Sequence, residues 1–388
     1  MSELMQIDKQ YVAGTYNRFP VQIVSGKGSL VYDENGKEYI DMGSGIGVTG
    51  FGIADEEWAQ AVVSQLAKVQ HMSNLYYTEP CALLAQELCP RTGMKKVFFA
   101  NSGAEANECL IKVARKYAAD KKGAEYSTIV TLKNSFHGRT LTTLSATGQE
   151  HYHELFQPLT PGFVHGDAGD LEGICKLAKE EKAAAILIEC VQGEGGVIAM
   201  EQEFVKGLAN FCKEEDILLM VDEVQTGNGR TGQLYAYMNY GIQPDAVSTA
   251  KGLGGGLPLG AALLGEKVES VLGFGDHGST FGGNPVCCAG ALSILKRIDD
   301  KLLAEVREKA AFIREQLTGA KGITGITGMG LMVGIKTEKP AGELVRALNE
   351  KGVLCLTAKD KVRLLPALNI PMDVLARAID AIKEVCAE

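Results

Sequence analysis

The chain lacks most features that would mark a membrane, secreted or nucleic-acid-binding protein. No uninterrupted apolar run approaches the ~18 residues a membrane span needs, so no transmembrane helix is expected. The opening residues, MSELMQIDKQ, carry no basic start followed by an apolar run, so no secretory signal is expected either. Basic clusters are missing. Lys95-Lys96 and Lys121-Lys122 are isolated pairs in a chain of formal charge −9, which argues against a nucleic-acid partner. Cysteine is not scarce at ten residues, but no CxxC pair occurs, and the adjacent Cys287 and Cys288 cannot readily clamp one metal. Most cysteines sit among apolar residues, as at Cys190 and Cys355, and are expected to be buried free thiols of a cytoplasmic protein. His137, His151 and His153 have no third ligand nearby, so no metal site is expected and these histidines are read as structural or surface residues.

What is present fits a soluble α/β enzyme. The 388 residues exceed what one compact core usually holds, so a large domain and a smaller one are expected. Short apolar runs at 97–100, 127–132, 183–189, 217–223, 245–250 and 260–265 read as buried strands. Helical patterns such as Glu105 to Ala119 and Glu203 to Glu214 separate several of them. That alternation predicts a mainly parallel sheet covered on both faces. From Pro285 the texture changes to a long helical stretch, Val286 to Leu317, then short strands at 331–336, 353–356 and 362–365. Helices are expected at Ala341–Lys351 and Met372–Ala387, completing a smaller α+β domain. SLVYDENGKEYIDM reads as a hairpin with an NG turn. The expected division is 1–50 joining the small domain, 51–284 as the large domain and 285–388 as the small one.

Ligands of open α/β sheets collect at the carboxyl ends of the strands. After VFFA, Ser102-Gly103-Ala104 open a helix, which suits either an anion held on backbone N–H groups or an ordinary N-cap. After ILLMV come Asp222, Glu223, Val224 and Gln225. A carboxylate in so apolar a place needs a cationic or hydrogen-bonding partner, or else caps the next turn. After DAVSTA comes Lys251, followed by glycines: a nucleophilic amine if its pKa is lowered, a charged flexible loop if not. Together these are a phosphate cradle, a carboxylate for a ring nitrogen and an aldehyde-trapping lysine, the contacts that pyridoxal 5′-phosphate requires. The glycines are then expected to let backbone pack close to the cofactor.

Nine segments in order, TYNRFPV, SNLYYTEP, FFANSGAEANE, FHGRTLTTLSATGQ, QGEGGV, VDEVQTG, STAKG, HGSTFGGNP and VRLLPAL, make the chain resemble the class III, fold-type I aminotransferases. The resemblance implies a large domain built on a mainly parallel seven-stranded sheet plus a smaller α+β domain. It also implies transfer of a terminal amino group to 2-oxoglutarate. By the same resemblance Phe136 stacks on the cofactor ring and Gln225 bonds its 3-oxygen. Glu223 and Val224 belong to the same cofactor loop. Thr280 reaches the phosphate of a neighbouring subunit, so a homodimer with shared sites is implied. Arg139 binds a substrate carboxylate, Ser279 touches the same substrate, and a Glu194–Arg363 pair either gates the second carboxylate of a diacid or is a structural ion pair. Departures lie at FGIADEEW (51–58), Cys190, Asn228 and Ala367, with the loop around Asp55 the place where a local difference is expected. Other transaminases of the class, and an aminomutase of the same fold, are the competing readings.

Overall fold

The apolar runs of the middle of the chain assemble into one seven-stranded sheet in a computed structural model that describes residues 2–388. Its order is Lys96–Ala100, Gly260–Leu264, Ala246–Thr249, Leu218–Asp222, Ala183–Ile188, Thr128–Leu132, Phe163–Gly166. The pairings from Ala246–Thr249 to Phe163–Gly166 are all parallel, and Gly260–Leu264 runs antiparallel to both neighbours. Six of these strands match the apolar runs. The edge strand Phe163–Gly166, sequence FVHG, was not expected, because His165 and Gly166 cut its apolar run short. Pairing with Thr128–Leu132 holds it, helped by a 2.7 Å contact between Thr131 Oγ1 and His165 Nδ1.

Side chains alternate across the central strands, as the two-residue period demands. Leu187, Leu218, Met220, Ala246 and Ala262 pack under the helix Gly103–Lys121. Ile186, Ile188, Leu219, Val221 and Val247 belong to the larger core on the opposite face. Both faces are covered, which is why these runs read as continuously apolar.

The remaining strands form smaller sheets. Ile23–Lys27, Leu30–Asp33 and Glu38–Asp41 are joined by Val353–Leu354, which runs parallel to Glu38–Asp41. The expected hairpin is present: Asp33 Oδ1 accepts from Asn35 N and Lys37 N at 2.9 Å each, and Gly36 takes φ 80° at the turn. A second sheet orders Ile323–Met329, Met332–Thr337, Lys361–Leu364 and Leu356–Ala358. The single strand expected at 353–356 is therefore split between two sheets, with Cys355 buried at the crossing.

The helical stretch expected from Val286 to Leu317 is two helices, Pro285–Arg297 and Asp300–Leu317. Asp299 accepts the N–H of Leu302 at 2.8 Å and starts the second helix, a local bond that competes with a continuous helix. The first of them packs on Glu56–Leu66 and Glu79–Thr92. It therefore packs against the 51–284 segment. None of the cysteines is paired. Among the described residues no helix is long and apolar enough to cross a membrane.

The divergent loop around Asp55 has a physical account. Asp55 Oδ1 accepts Trp58 N at 2.9 Å and caps the helix Glu56–Leu66, while both its oxygens take the Arg297 fork at 2.9 and 2.8 Å. The Arg297 guanidinium lies 4.1 Å from the centre of the Phe51 ring. Asp55→Asn keeps the cap but removes the charged fork, and is expected to cost about 1–3 kcal/mol, seen as a lower urea midpoint with an unchanged slope.

Candidate active site

Strand parity decides where Asp222 points. It shares the side of Leu218 and Met220, so its carboxylate meets the helix Gly103–Lys121. Asn107 Nδ2 donates to its Oδ2 at 2.7 Å, and His137 Nδ1 lies 2.9 Å from the same oxygen. A carboxylate only accepts, so Nδ1 carries the proton. The N–H of Val224 donates to Oδ1 at 3.0 Å. Asp222 is 4% exposed, and these bonds answer the cost of placing its charge there. His137 Nε2 is buried without a partner. His137 and Asn107 were not read as site residues, although they lie in FHGRT and SGAEANE. His137 is no surface residue, since it is 2% exposed.

Asp222 lines a cavity of about 620 Å³ with Ser102, Gly103, Ala104, Phe136, Arg139, Val224, Gln225 and Lys251. At one wall Ser102 caps the helix, its Oγ accepting Glu105 N at 3.2 Å, and Glu105 reaches back to Asn101 N at 2.6 Å. The N-cap reading is seen directly, and the N–H groups of the cavity-lining Gly103 and Ala104 have no acceptor among the described residues. Gly103 is needed there: a Cβ would come within 2.7 Å of the Val224 side chain.

Lys251 follows the strand Ala246–Thr249 in the left-handed region, φ 46°. Burial depresses its pKa, opposed by the Glu194 and Asp222 carboxylates and helped by Arg363. Asn228 ties this strand end down, donating to Thr249 Oγ1 at 3.1 Å and Ala250 O at 3.3 Å. The following glycines do something other than expected. A Cβ on Gly254 would strike Leu257 O at 2.1 Å, and one on Gly255 would press on the indole of Trp58, which itself donates to Gly254 O at 3.1 Å. Only Gly256 of this run lines the cavity.

Glu194 and Arg363, distant in sequence, meet: Arg363 Nη1 donates to Glu194 Oε1 at 2.6 Å and to Gln225 Oε1 at 3.1 Å. Desolvation alone would raise Glu194, but the Arg363 guanidinium outweighs it and holds the carboxyl below its usual range. Glu189, a cavity residue the sequence did not single out, accepts Phe136 N at 2.9 Å. Burial, and then the charge of Asp222, raise it well above the ordinary carboxyl range.

Three expected residues lie elsewhere. Glu223 is turned away from the cavity by the same parity that points Asp222 into it. It is fully buried, accepting Thr226 Oγ1 at 2.5 Å and Tyr237 N at 2.8 Å. Its assignment as a cofactor contact is corrected on that ground. Ser279 is one bond from the cavity wall, its Oγ accepting from Asn101 Nδ2 at 3.2 Å. Thr280 is exposed and borders a separate surface depression with His71 and Asn74.

Residues 11–386 match the family described as Aminotransferase class-III. The chain belongs to the class III aminotransferases. It is 47% identical over 388 residues to the acetylornithine aminotransferase of Haemophilus ducreyi, covering 100% of this chain and 99% of that one. It is 41% identical to the acetylornithine aminotransferase of Methanocaldococcus jannaschii, covering 99% and 98%. The ornithine aminotransferase of Toxoplasma gondii, a structure with PLP at partial occupancy in its active site, superposes with a TM-score of 0.93 at 30% identity. That match covers 99% of this chain and 94% of the other.

In this aminotransferase the burial of Glu223 has a measurable consequence. Burial pushes Glu223 up to about 7, against the bonds from Thr226 and the Ala236–Tyr237 backbone. A carboxyl raised on folding stays protonated in the native state while the unfolded chain ionises. Native stability is therefore lost as pH rises from about 4.5 to about 7. Glu223→Gln removes that loss, and is expected to raise Tm by a few degrees at about pH 8 and to leave it nearly unchanged at about pH 5.

Proposed function

We propose that the chain is a pyridoxal-5′-phosphate-dependent transaminase that moves the terminal amino group of N²-acetylornithine to 2-oxoglutarate, giving N-acetylglutamate 5-semialdehyde and glutamate. One observation carries this reading. A lysine of lowered pKa, a buried carboxylate with three hydrogen bonds and a helix N-terminus with free N–H groups share one cavity. The relatives alike over the whole chain, named for acetylornithine, support the choice of donor. The likeness to an ornithine aminotransferase makes ornithine the competing donor.

The residues present fit the cofactor. Gly103 and Ala104 would take the phosphate on their N–H groups, and Thr280 would reach the phosphate of a neighbouring subunit in a cytoplasmic homodimer. Asp222, fixed by Asn107 and His137, would hold a proton on the ring nitrogen. Phe136 would lie against the ring and Gln225 would bond its 3-oxygen. Bound there, the cofactor supplies a carbonyl for the amino group and a ring that accepts electrons. Lys251 Nζ, its pKa lowered, would take the proton from the substrate carbon that bears the amino group. Arg139 would orient the substrate carboxylate, with Ser279 beside it.

The two substrates differ in charge: 2-oxoglutarate carries two carboxylates and acetylornithine only one. Arg363 would receive the second carboxylate once Glu194 swings aside. With Glu194 in place its positive charge is masked, and the substrate with a single carboxylate is accepted.

The purified protein is expected to show a visible absorption band of bound pyridoxal phosphate that N²-acetylornithine abolishes and 2-oxoglutarate restores. A band that acetylornithine leaves intact, but ornithine removes, would keep the class and overturn the donor. Absence of any band after adding pyridoxal phosphate would overturn the reading of Lys251. For the gate, Glu194→Gln is expected to raise the preference for glutamate over acetylornithine, as the ratio of kcat/KM in single half-reactions, by about tenfold. An unchanged ratio would leave Glu194–Arg363 as a structural pair.

A further inference from the structure

Arg139 stands at the cavity wall without an ionic partner. The ion pairs of this region are His137–Asp222 and Arg363–Glu194, and Arg139 enters neither. No hydrogen bond from another described residue fixes its guanidinium. What it does have is aromatic. Its Cζ lies 4.4 Å from the centre of the Tyr152 ring and 5.7 Å from that of Phe136. The two rings meet edge to face, 6.0 Å apart at 69°.

The support for Tyr152 is ordered. It closes the short 3₁₀ turn Glu150–Tyr152, and its N–H donates to Gln149 O at 3.1 Å. Gln149 is itself buried and donates through Nε2 to Ser135 O at 3.0 Å, next to Phe136. The ring centres of His151 and Tyr152 are 3.9 Å apart. Tyr152 is thus a half-buried aromatic plate placed beneath the guanidinium and tied to the turn that carries Phe136.

We propose that Tyr152 is a positioning residue for Arg139. Its ring face carries the guanidinium by a cation–π contact and leaves the N–H fork free for a substrate carboxylate. A salt bridge in that place would compete with the carboxylate for the same donors, whereas a ring face occupies none of them. The arrangement therefore fixes the plane of the guanidinium without using its hydrogen bonds. It also sets the guanidinium beside Phe136. This inference rests on the reading of Arg139 as the carboxylate-binding residue.

The test uses the protein carrying pyridoxal phosphate and measures the dissociation constant of glutarate, a dicarboxylate that has no amino or oxo group to react. Tyr152→Leu keeps apolar bulk and removes the π face, and is expected to weaken glutarate about 2- to 30-fold, the span of a cation–π contact. The visible spectrum and the cofactor affinity should stay unchanged. KM for 2-oxoglutarate should rise by the same factor, with kcat within about threefold of wild type. Tyr152→Phe keeps the ring and should recover wild-type affinity. Arg139→Lys provides the reference. If Arg139→Lys weakens glutarate and Tyr152→Leu does not, Tyr152 has no positioning role. If Tyr152→Phe is as weak as Tyr152→Leu, the hydroxyl and not the ring face is responsible, and the proposal fails. If Arg139→Lys itself leaves glutarate binding unchanged, the carboxylate reading of Arg139 falls, and this inference with it.

Discussion

The site depends on satisfying the hydrogen bonds of one carboxylate where burial is costly. Asp222 ends a strand of wholly buried residues at the centre of the sheet, and only its hydrogen bonds make that position tolerable. Each partner comes from a different element: Asn107 from the helix Gly103–Lys121, His137 from the segment after Thr128–Leu132, Val224 from its own following turn. Docking that helix on the sheet therefore does two jobs at once. It covers the apolar face, and it brings Asn107 to Asp222 and the free N–H groups of Gly103 and Ala104 to the same cavity.

Carboxyl groups around this point show how strictly geometry controls chemistry. Asp222 and Glu223 are neighbours in sequence, yet alternate faces of the strand give them unrelated lives. One is exposed to the cavity with three donors; the other is walled in against Thr226 and Tyr237 and is pushed toward neutrality. Glu189 ends the adjacent parallel strand, and burial beside the charge of Asp222 raises it. Glu194, a few residues on, meets the only one of these environments with a guanidinium and is held ionised by it. Four similar side chains thus become acceptor, structural buffer, buried acid and ion-pair partner through position alone.

Much of this was legible in the residues. Buried strands announce themselves by continuous β-branched and aliphatic runs, and six of the seven sheet strands do so. FVHG does not, because a short edge strand draws its stability from one neighbour and not from its own pattern. The pair of helices after Pro285 read as one because their apolar spacing continues across Ile298, while the stop is made by a single aspartate cap. The segment VLCL read as one strand because nothing local records that Val353–Leu354 and Leu356–Ala358 pair with different partners. In the site, Asp222 and Lys251 were singled out by their places at strand ends, and Phe136 and Arg139 by the resemblance alone. Asn107, His137 and Tyr152 were passed over, since their roles consist of contacts with residues far along the chain.

By itself the sequence determined six of the seven strands of the main sheet and the residue chemistry available at the strand ends, while its ordered motifs carried the resemblance to the family. Those properties are local, set by apolar periodicity, turn chemistry and the placing of polar residues just beyond apolar runs. The tertiary structure alone decided which of two adjacent carboxylates enters the cavity, that Glu194 and Arg363 touch, that the glycines after Lys251 accommodate Trp58 and their own turn, and that Arg139 rests on Tyr152. Each of these depends on a distance between residues separated by a turn, a strand or most of the chain. Such distances are fixed only when helix and sheet faces pack, because burial and register, not local preference, select them.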